Sequence, residues 1–327
     1  MINFKSAFDA FNQKKIIVVG DVMIDTYLKG SVNRISPEAP VPIVEFKSRD
    51  HRLGGAANVA LNIKALGAQA FVCSVIGKDE DGDLYERLMN DNSLNQWGII
   101  RADERITTVK TRVIGNNQQL LRVDHEQKDD ISSLLEFSLI ERVKEIAEKE
   151  TIDAIVFQDY NKGVLTENVI KSLIDFANER EIITTVDPKK ENFFTYSNVT
   201  LFKPNLKELK EGVGLFFEMD EKQRFEEAIA ALKDKVNAEM TFVTLSEHGV
   251  YMNANDEHFY IPAHLRDIAD VSGAGDTVIS VATLCITCNI PPKNVAEIAN
   301  LAGGLVCEKI GVSTVGKEQL MNEVLTL

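Results

Sequence analysis

Apolar and polar positions follow two periods along this chain. Residues 16–19, 71–76, 154–158, 182–186, 200–203 and 240–245 are short apolar runs, too short for helices, and read as buried parallel strands. Between them, 59–66, a stretch ending near 90, 131–150, 167–180 and 225–236 repeat apolar residues at helical spacing. Phe4, Phe8 and Phe11 predict a short amphipathic helix over 3–14, and 275–288 and 293–309 are apolar enough for buried helices. Residues 107–114 and 119–124 alternate instead, and Gly115-Asn116-Asn117-Gln118 between them is a hairpin signal. Residues 250–252 and 258–261 read as a second hairpin. Strand–helix alternation of this kind predicts an α/β fold with a doubly wound, mostly parallel sheet flanked by helices. The alternating segments 26–31, 41–47, 107–114 and 119–124 would form a small β-sheet lid beside it. Three prolines in Pro37–Pro42 predict an irregular extended connection there.

Composition narrows the class. The 327 residues, 44% hydrophobic and 26% charged, suffice for a large core, and no composition break marks a linker. A net charge of −14 argues against nucleic acid or an anionic membrane as partner. The N-terminus has no apolar signal core and no apolar run is long enough to span a bilayer, so the expectation is a cytoplasmic protein. Cys285 and Cys288 spell a CxxC, but with no second pair and apolar flanks they are expected to be buried thiols on a helix.

Chemistry concentrates where predicted strands end. Asp270-Val271-Ser272-Gly273-Ala274-Gly275-Asp276-Thr277 opens an apolar helix. The N–H groups of such a start attract an anion, and glycines let it approach. A carboxylate beside an anion site makes sense if Asp276 takes a proton from an attacking hydroxyl; a capped helix start is the plainer alternative. Asp21 and Asp25 follow the first strand, and Asp159, Asp187-Pro188-Lys189 and Asn205 follow later ones; such ends converge on one edge of a doubly wound sheet. Arg52-Leu53-Gly54-Gly55-Ala56-Ala57-Asn58 reads as a second glycine-rich step into a helix, with Asn58 placed to hold a sugar hydroxyl. Asn205 and Glu208 share one face of a helix start. They suit water-mediated Mg²⁺ binding, or a simple N-cap pair. Residues 311–318 nearly spell a P-loop but end in Glu318 where a hydroxyl is needed, and no GxGxxG follows the first strand.

Gly54 to Gly67 and Asp270 to Asp276 resemble the two signatures of the ribokinase-like (PfkB) carbohydrate kinases, in the right order and across nearly the whole chain. Ser272 and Ser246 depart from the usual Thr and Gly. The resemblance implies ATP as phosphoryl donor, Mg²⁺, and a monovalent cation as a further candidate. It implies Asp276 as base, with Gly273, Ala274 and Gly275 as the anion hole, and Asp21, Asp25, Gly54, Gly55 and Asn58 on the sugar. On the nucleotide side it implies Lys203, Asn205, Thr244, Ser246, Gly249 and Asn300, with Asn205 and Glu208 on the metal. It further implies a homodimer formed through the lid. Residues 20–25, 34–42, 159–163 and 187–189 are similar to the heptose 7-phosphate kinases within that family. A pre-existing sugar phosphate would need its own cations, and Arg34, Arg112 and Lys162 are the candidates. No HxGH motif is present, so the expectation is one kinase domain over 1–327, without a nucleotidyltransferase domain. Another sugar or sugar-phosphate kinase, or an idle sugar-binding protein, are the alternatives.

Overall fold

A computed structural model describes residues 3–254, 257–264 and 266–326. The chain enters through α1 (Phe4–Ala10), whose Phe8 and the following Phe11 are buried, and reaches β1 (Lys15–Gly20). Ile16 to Val19 are fully buried because both faces of this strand are covered by helices. The large sheet follows with β4 (Gln69–Gly77), β5 (Ile99–Ala102), β8 (Ala154–Gln158), β9 (Ile183–Asp187), β10 (Leu201–Phe202), β11 (Met240–Thr244), β12 (Val250–Ala254) and β13 (Glu257–Ile261). The described residues order it β13-β12-β11-β10-β9-β8-β1-β4-β5, parallel from β11 to β5 and antiparallel at the β12–β13 hairpin. This is the expected mostly parallel, doubly wound sheet.

One face packs on α2 (Ala56–Ala65), α8 (Ala274–Thr287) and α9 (Pro292–Cys307); the other packs on α4 (Ser133–Lys149), α5 (Glu167–Glu179) and α7 (Lys222–Val236). α8 is buried all round from Asp276 to Thr287, so its apolar composition reflects two-sided packing. Cys285 is sealed within it and Cys288 half-buried, as free thiols. α6 (Leu206–Val213) follows β10, while α3 (Glu80–Asp91) and α10 (Lys317–Val324) complete the helices of the described residues. Among these residues no helix is long and apolar enough to cross a membrane.

A second sheet joins β2 (Val22–Ile35), β3 (Pro42–Gly55), β6 (Val109–Gly115) and β7 (Gln118–His125) in the order β3-β2-β6-β7. Asn116 and Asn117, both at positive φ, make the tight turn between β6 and β7. The small sheet is where the expected one lies, but β2 and β3 are far longer than the segments 26–31 and 41–47. Residues 52–55, expected as a glycine-rich step into a helix, are the end of β3, and α2 follows at once. A Cβ on Gly54 would lie 2.2 Å from Asp25 Oδ2, so this strand end closes on Asp25 only because it lacks side chains.

Candidate active site

The parallel strands bring their carboxyl ends to one edge, and α8 points its N-terminus into that edge. Gly273, with φ +82°, turns the chain into the helix. Asp270 fixes the approach by accepting the amides of Ser272 and Gly311, each at 2.9 Å.

Asp276 stands in the first turn, only 5% exposed. Its carboxylate accepts hydrogen bonds from Asn58 Nδ2 at 2.7 Å, the Tyr160 hydroxyl at 2.7 Å and Gln158 Nε2 at 3.1 Å. Burial pushes its pKa up to about 6; the Asn58 and Tyr160 donors and Lys203 restrain the rise, and the Asp187 charge adds to it. A carboxylate tuned there is ionised at neutral pH yet holds a proton well, as a general base requires.

Beside Asp276 opens a cleft of about 450 Å³, walled by Tyr160, Asp187, Lys189, Lys203, Thr244, Ser246 and Gly275 among others. A larger cavity, about 540 Å³, lies between Lys14 and Cys288 at the other end of α8, away from these groups. In the cleft, Lys203 is 2% exposed and pairs with Asp187 at 3.0 Å. Burial alone would raise the Asp187 pKa, but Lys203 and Lys189 outweigh it and hold the carboxyl below its ordinary value. Asn205 and Glu208 form a capping box: each accepts the other's backbone N–H, both at 2.8 Å. The second Glu208 oxygen is held by Lys189. An isolated bridge ties Asn205 to Thr244, setting α6 beside the end of β11.

Among the described residues no group of three metal-binding side chains exists. Mg²⁺ needs no such group, since it keeps its waters and takes one or two carboxylates plus phosphate oxygens. Asn205 and Glu208 would hold it through water, beside a cleft whose other wall presents helix amides.

Several expected contacts take other forms. Asp21, 1% exposed, accepts the amides of Tyr160, Lys162 and Val164 at 2.8, 3.1 and 3.2 Å. Its carboxylate grips this loop through three of its acceptor positions. Burial raises its pKa despite those amides. Arg112 is bound to Asp25 and lies over the Tyr27 ring at 5.4 Å, so its charge is already neutralised. Lys162 is buried against Glu126 at 3.0 Å. Arg34 is exposed at the far end of β2, in register with Ile43 and nine residues beyond Asp25. At about 3.3 Å per residue it stands roughly 30 Å from its own chain's site. Asn300 donates to the Pro262 carbonyl at 2.8 Å and does not line the cleft. Gly249, at φ +89°, is fixed by backbone crowding: a Cβ would lie 2.0 Å from the Ile261 carbonyl oxygen. Gly55, at φ +62°, likewise closes on the Asp21 carbonyl. The structure does gather Asn58, Lys203, Asn205, Thr244, Ser246, Gly273, Ala274 and Gly275 around Asp276 and its cleft. Tyr160, Gln158, Asp187 and Lys189 are site residues that sequence reasoning left without roles. The polar steps after β8 and β9 were their signal.

The sequence matches the pfkB family of carbohydrate kinases over residues 13–319. The chain belongs to this family. It is therefore a sugar kinase. Among curated relatives, the bifunctional protein HldE of Citrifermentans bemidjiense is 39% identical over 321 residues, covering 98% of this chain and 65% of that protein. The HldE of Helicobacter pylori strain G27 is 38% identical over 307 residues, covering 94% and 65%. The chain thus spans about 65% of the length of these relatives. Phosphofructokinase-2 from Escherichia coli, solved in complex with potassium, superposes with a TM-score of 0.78 at 19% identity, covering 96% of this chain and 98% of that one. Arabidopsis thaliana ribokinase, complexed with ribose and ATP, gives 0.72 at 14%, covering 95% and 98%. At such identities these two likenesses concern the fold.

Proposed function

We propose that this pfkB kinase uses ATP to phosphorylate the anomeric hydroxyl of D-glycero-β-D-manno-heptose 7-phosphate, giving the 1,7-bisphosphate on the route to ADP-heptose for lipopolysaccharide. The observation that carries the chemistry is Asp276: a buried carboxylate with a pKa of about 6, in the first turn of a helix whose amides face the same cleft. The choice of sugar is supported by residues 34–42, 159–163 and 187–189 and by the HldE relatives.

In this reading Asp276 removes the proton from the anomeric hydroxyl as its oxygen attacks the γ-phosphorus, and ADP leaves with the electron pair of the broken bond. The α8 amides hold the equatorial phosphoryl oxygens, and Asn58 orients the base. Bound Mg²⁺ supplies charge neutralisation on the nucleotide phosphates. Asp25, brought beside Gly54 at the base of the small sheet, faces the sugar. A potassium response belongs to the same proposal, since E. coli phosphofructokinase-2 was solved with that ion. The reaction belongs in the cytoplasm, in one kinase domain over 1–327.

The small sheet acts as a lid and, on its outer face, as a dimer interface. Cross-strand neighbours share a face. Leu28, Val113 and Leu121 form one such row, and Thr26, Thr111 and Val123 the next; Asp25 with Lys110 and Tyr27 with Arg112 belong to the opposite, inward face. Leu121 and Val123 are 51% and 53% exposed and Phe46 64%, an apolar surface suited to a second copy of this chain.

ATP turnover against heptose 7-phosphate, fructose 6-phosphate and ribose tests the proposal. Turnover is expected to favour the heptose phosphate; strong preference for the unphosphorylated pentose refutes it.

A further inference from the structure

Three lysines line the cleft, and they are placed very differently. The Lys203 side chain is 2% exposed and locked on Asp187 at 3.0 Å. Lys207 is 83% exposed and turns along α6 toward Glu211 at 3.7 Å. Lys189 lies between these extremes. Its ammonium sits on Glu208, 3.7 Å from Asp187 and 3.5 Å from the Pro188 carbonyl oxygen. It also lies 5.8 Å from the centroid of the Tyr160 ring, whose hydroxyl is bonded to Asp276. One aromatic ring therefore separates this ammonium from the base. Across the cleft, a Cβ on Gly275 would lie 3.6 Å from Asp187 and 3.9 Å from Lys203 Nζ, so the N-terminal amides of α8 face the same cluster.

The charge balance gives this position a task. Asp187 and Asp276 line the cleft and Glu208 stands behind Lys189, three negative charges facing Lys189, Lys203 and the solvent-facing Lys207. Lys203 is sealed by Asp187 and Lys207 stands out in solvent, so Lys189 is the half-buried ammonium that a polyphosphate entering the cleft can recruit. We propose that Lys189 exchanges Glu208 for the terminal phosphate of the nucleotide and is a catalytic residue, neutralising the phosphoryl group in flight. This inference rests on the kinase reading of the same cleft. The acceptor oxygen–phosphorus bond forms and the bond from the γ-phosphorus to its bridging oxygen breaks. The electron pair stays with ADP, the acceptor's proton goes to Asp276, and Lys189 keeps its own proton throughout. The exchange would free one Glu208 oxygen, which with Asn205 would be available to hold a hydrated Mg²⁺.

The test compares Lys189→Met and Lys189→Arg with the unaltered chain. Titration calorimetry with ATP and with ADP, each with and without Mg²⁺, reads the contact directly, because only ATP carries the terminal phosphate. Lys189→Met is expected to weaken ATP at least about tenfold while ADP changes less than about twofold. It should lower kcat on the order of 10²–10³-fold and leave the sugar KM within about threefold. Lys189→Arg keeps the charge and should recover most of the ATP preference. Equal weakening of ATP and ADP, a loss confined to the sugar KM, or a kcat within about fivefold of the unaltered chain would overturn the proposal. If Lys189→Met fails to fold, Lys189→Gln serves in its place, checked by thermal melting. A different sugar preference would sink the heptose assignment and leave the ATP-to-ADP comparison readable.

Discussion

Replacing Asp276 by Asn should abolish turnover and make the protein more stable. The carboxylate's pKa rises from 3.8 to about 6 on folding, chiefly through burial. A rise of roughly two pH units corresponds to about 3 kcal/mol, of which part is lost when the charged hydrogen bonds are replaced. The sign follows from proton uptake. Between pH 4 and 6 the folded state binds more protons than the unfolded one, so stability falls as pH rises through that window and the penalty is complete above it. An amide at this position carries no such penalty. Its NH₂ would meet the Asn58 donor, but Asn58 Oδ1 is buried without a partner, so the Asn58 amide can turn over and accept instead. Denaturation of both proteins from pH 5 to 8 checks this. The variant should gain about 1–3 kcal/mol at pH 8 and progressively less toward pH 5, with kcat down on the order of 10²–10⁴-fold. A variant less stable than the unaltered chain at pH 8, or a difference that does not change with pH, refutes the reasoning.

Tyr160→Phe removes a donor that stabilises the charged base, so the acidic limb of kcat/KM should move up by about one pH unit; a limb that stays or moves down contradicts that role. Gly20→Ala places a Cβ 2.0 Å from the Gln158 carbonyl oxygen at φ +152°, and should cost on the order of 2 kcal/mol or more in urea unfolding. Phe46→Asp combined with Leu121→Asp should leave a monomer by light scattering if the outer face of the small sheet joins two copies; an unchanged dimer places the interface elsewhere.

The parallel strands were legible because burial on both faces leaves unbroken apolar runs, as at Ile16–Val19 and Ala154–Gln158. The α8 start was legible because small residues beside an acid have few other uses. The Gly54–Gly55 step into a helix was legible, but not that the pair lets a strand end crowd Asp25 and the Asp21 carbonyl, both of which lie far back along the chain. The β5 strand escaped notice because only Ala102 of its four residues is buried, and α10 because just Leu320 and Val324 are. Site residues divide the same way. Asp276 stands out in local pattern, whereas Asn58, expected on a sugar hydroxyl, donates to Asp276, a partner 218 residues away. The settings of Arg112, Lys162 and Lys189 depend on partners far along the chain, Asp25, Glu126 and Glu208, which no local spacing reveals.

Only Asp21 lies between β1 in the core and β2 in the small sheet. The small sheet therefore has no linker of its own; it extends a strand buried from Ile16 to Gly20. The residue at that joint grips the loop that carries Tyr160, and Tyr160 grips Asp276. One buried carboxylate thus stands where the core strand, the small sheet and the loop holding Asp276 meet, so replacing Asp21 disturbs all three at once.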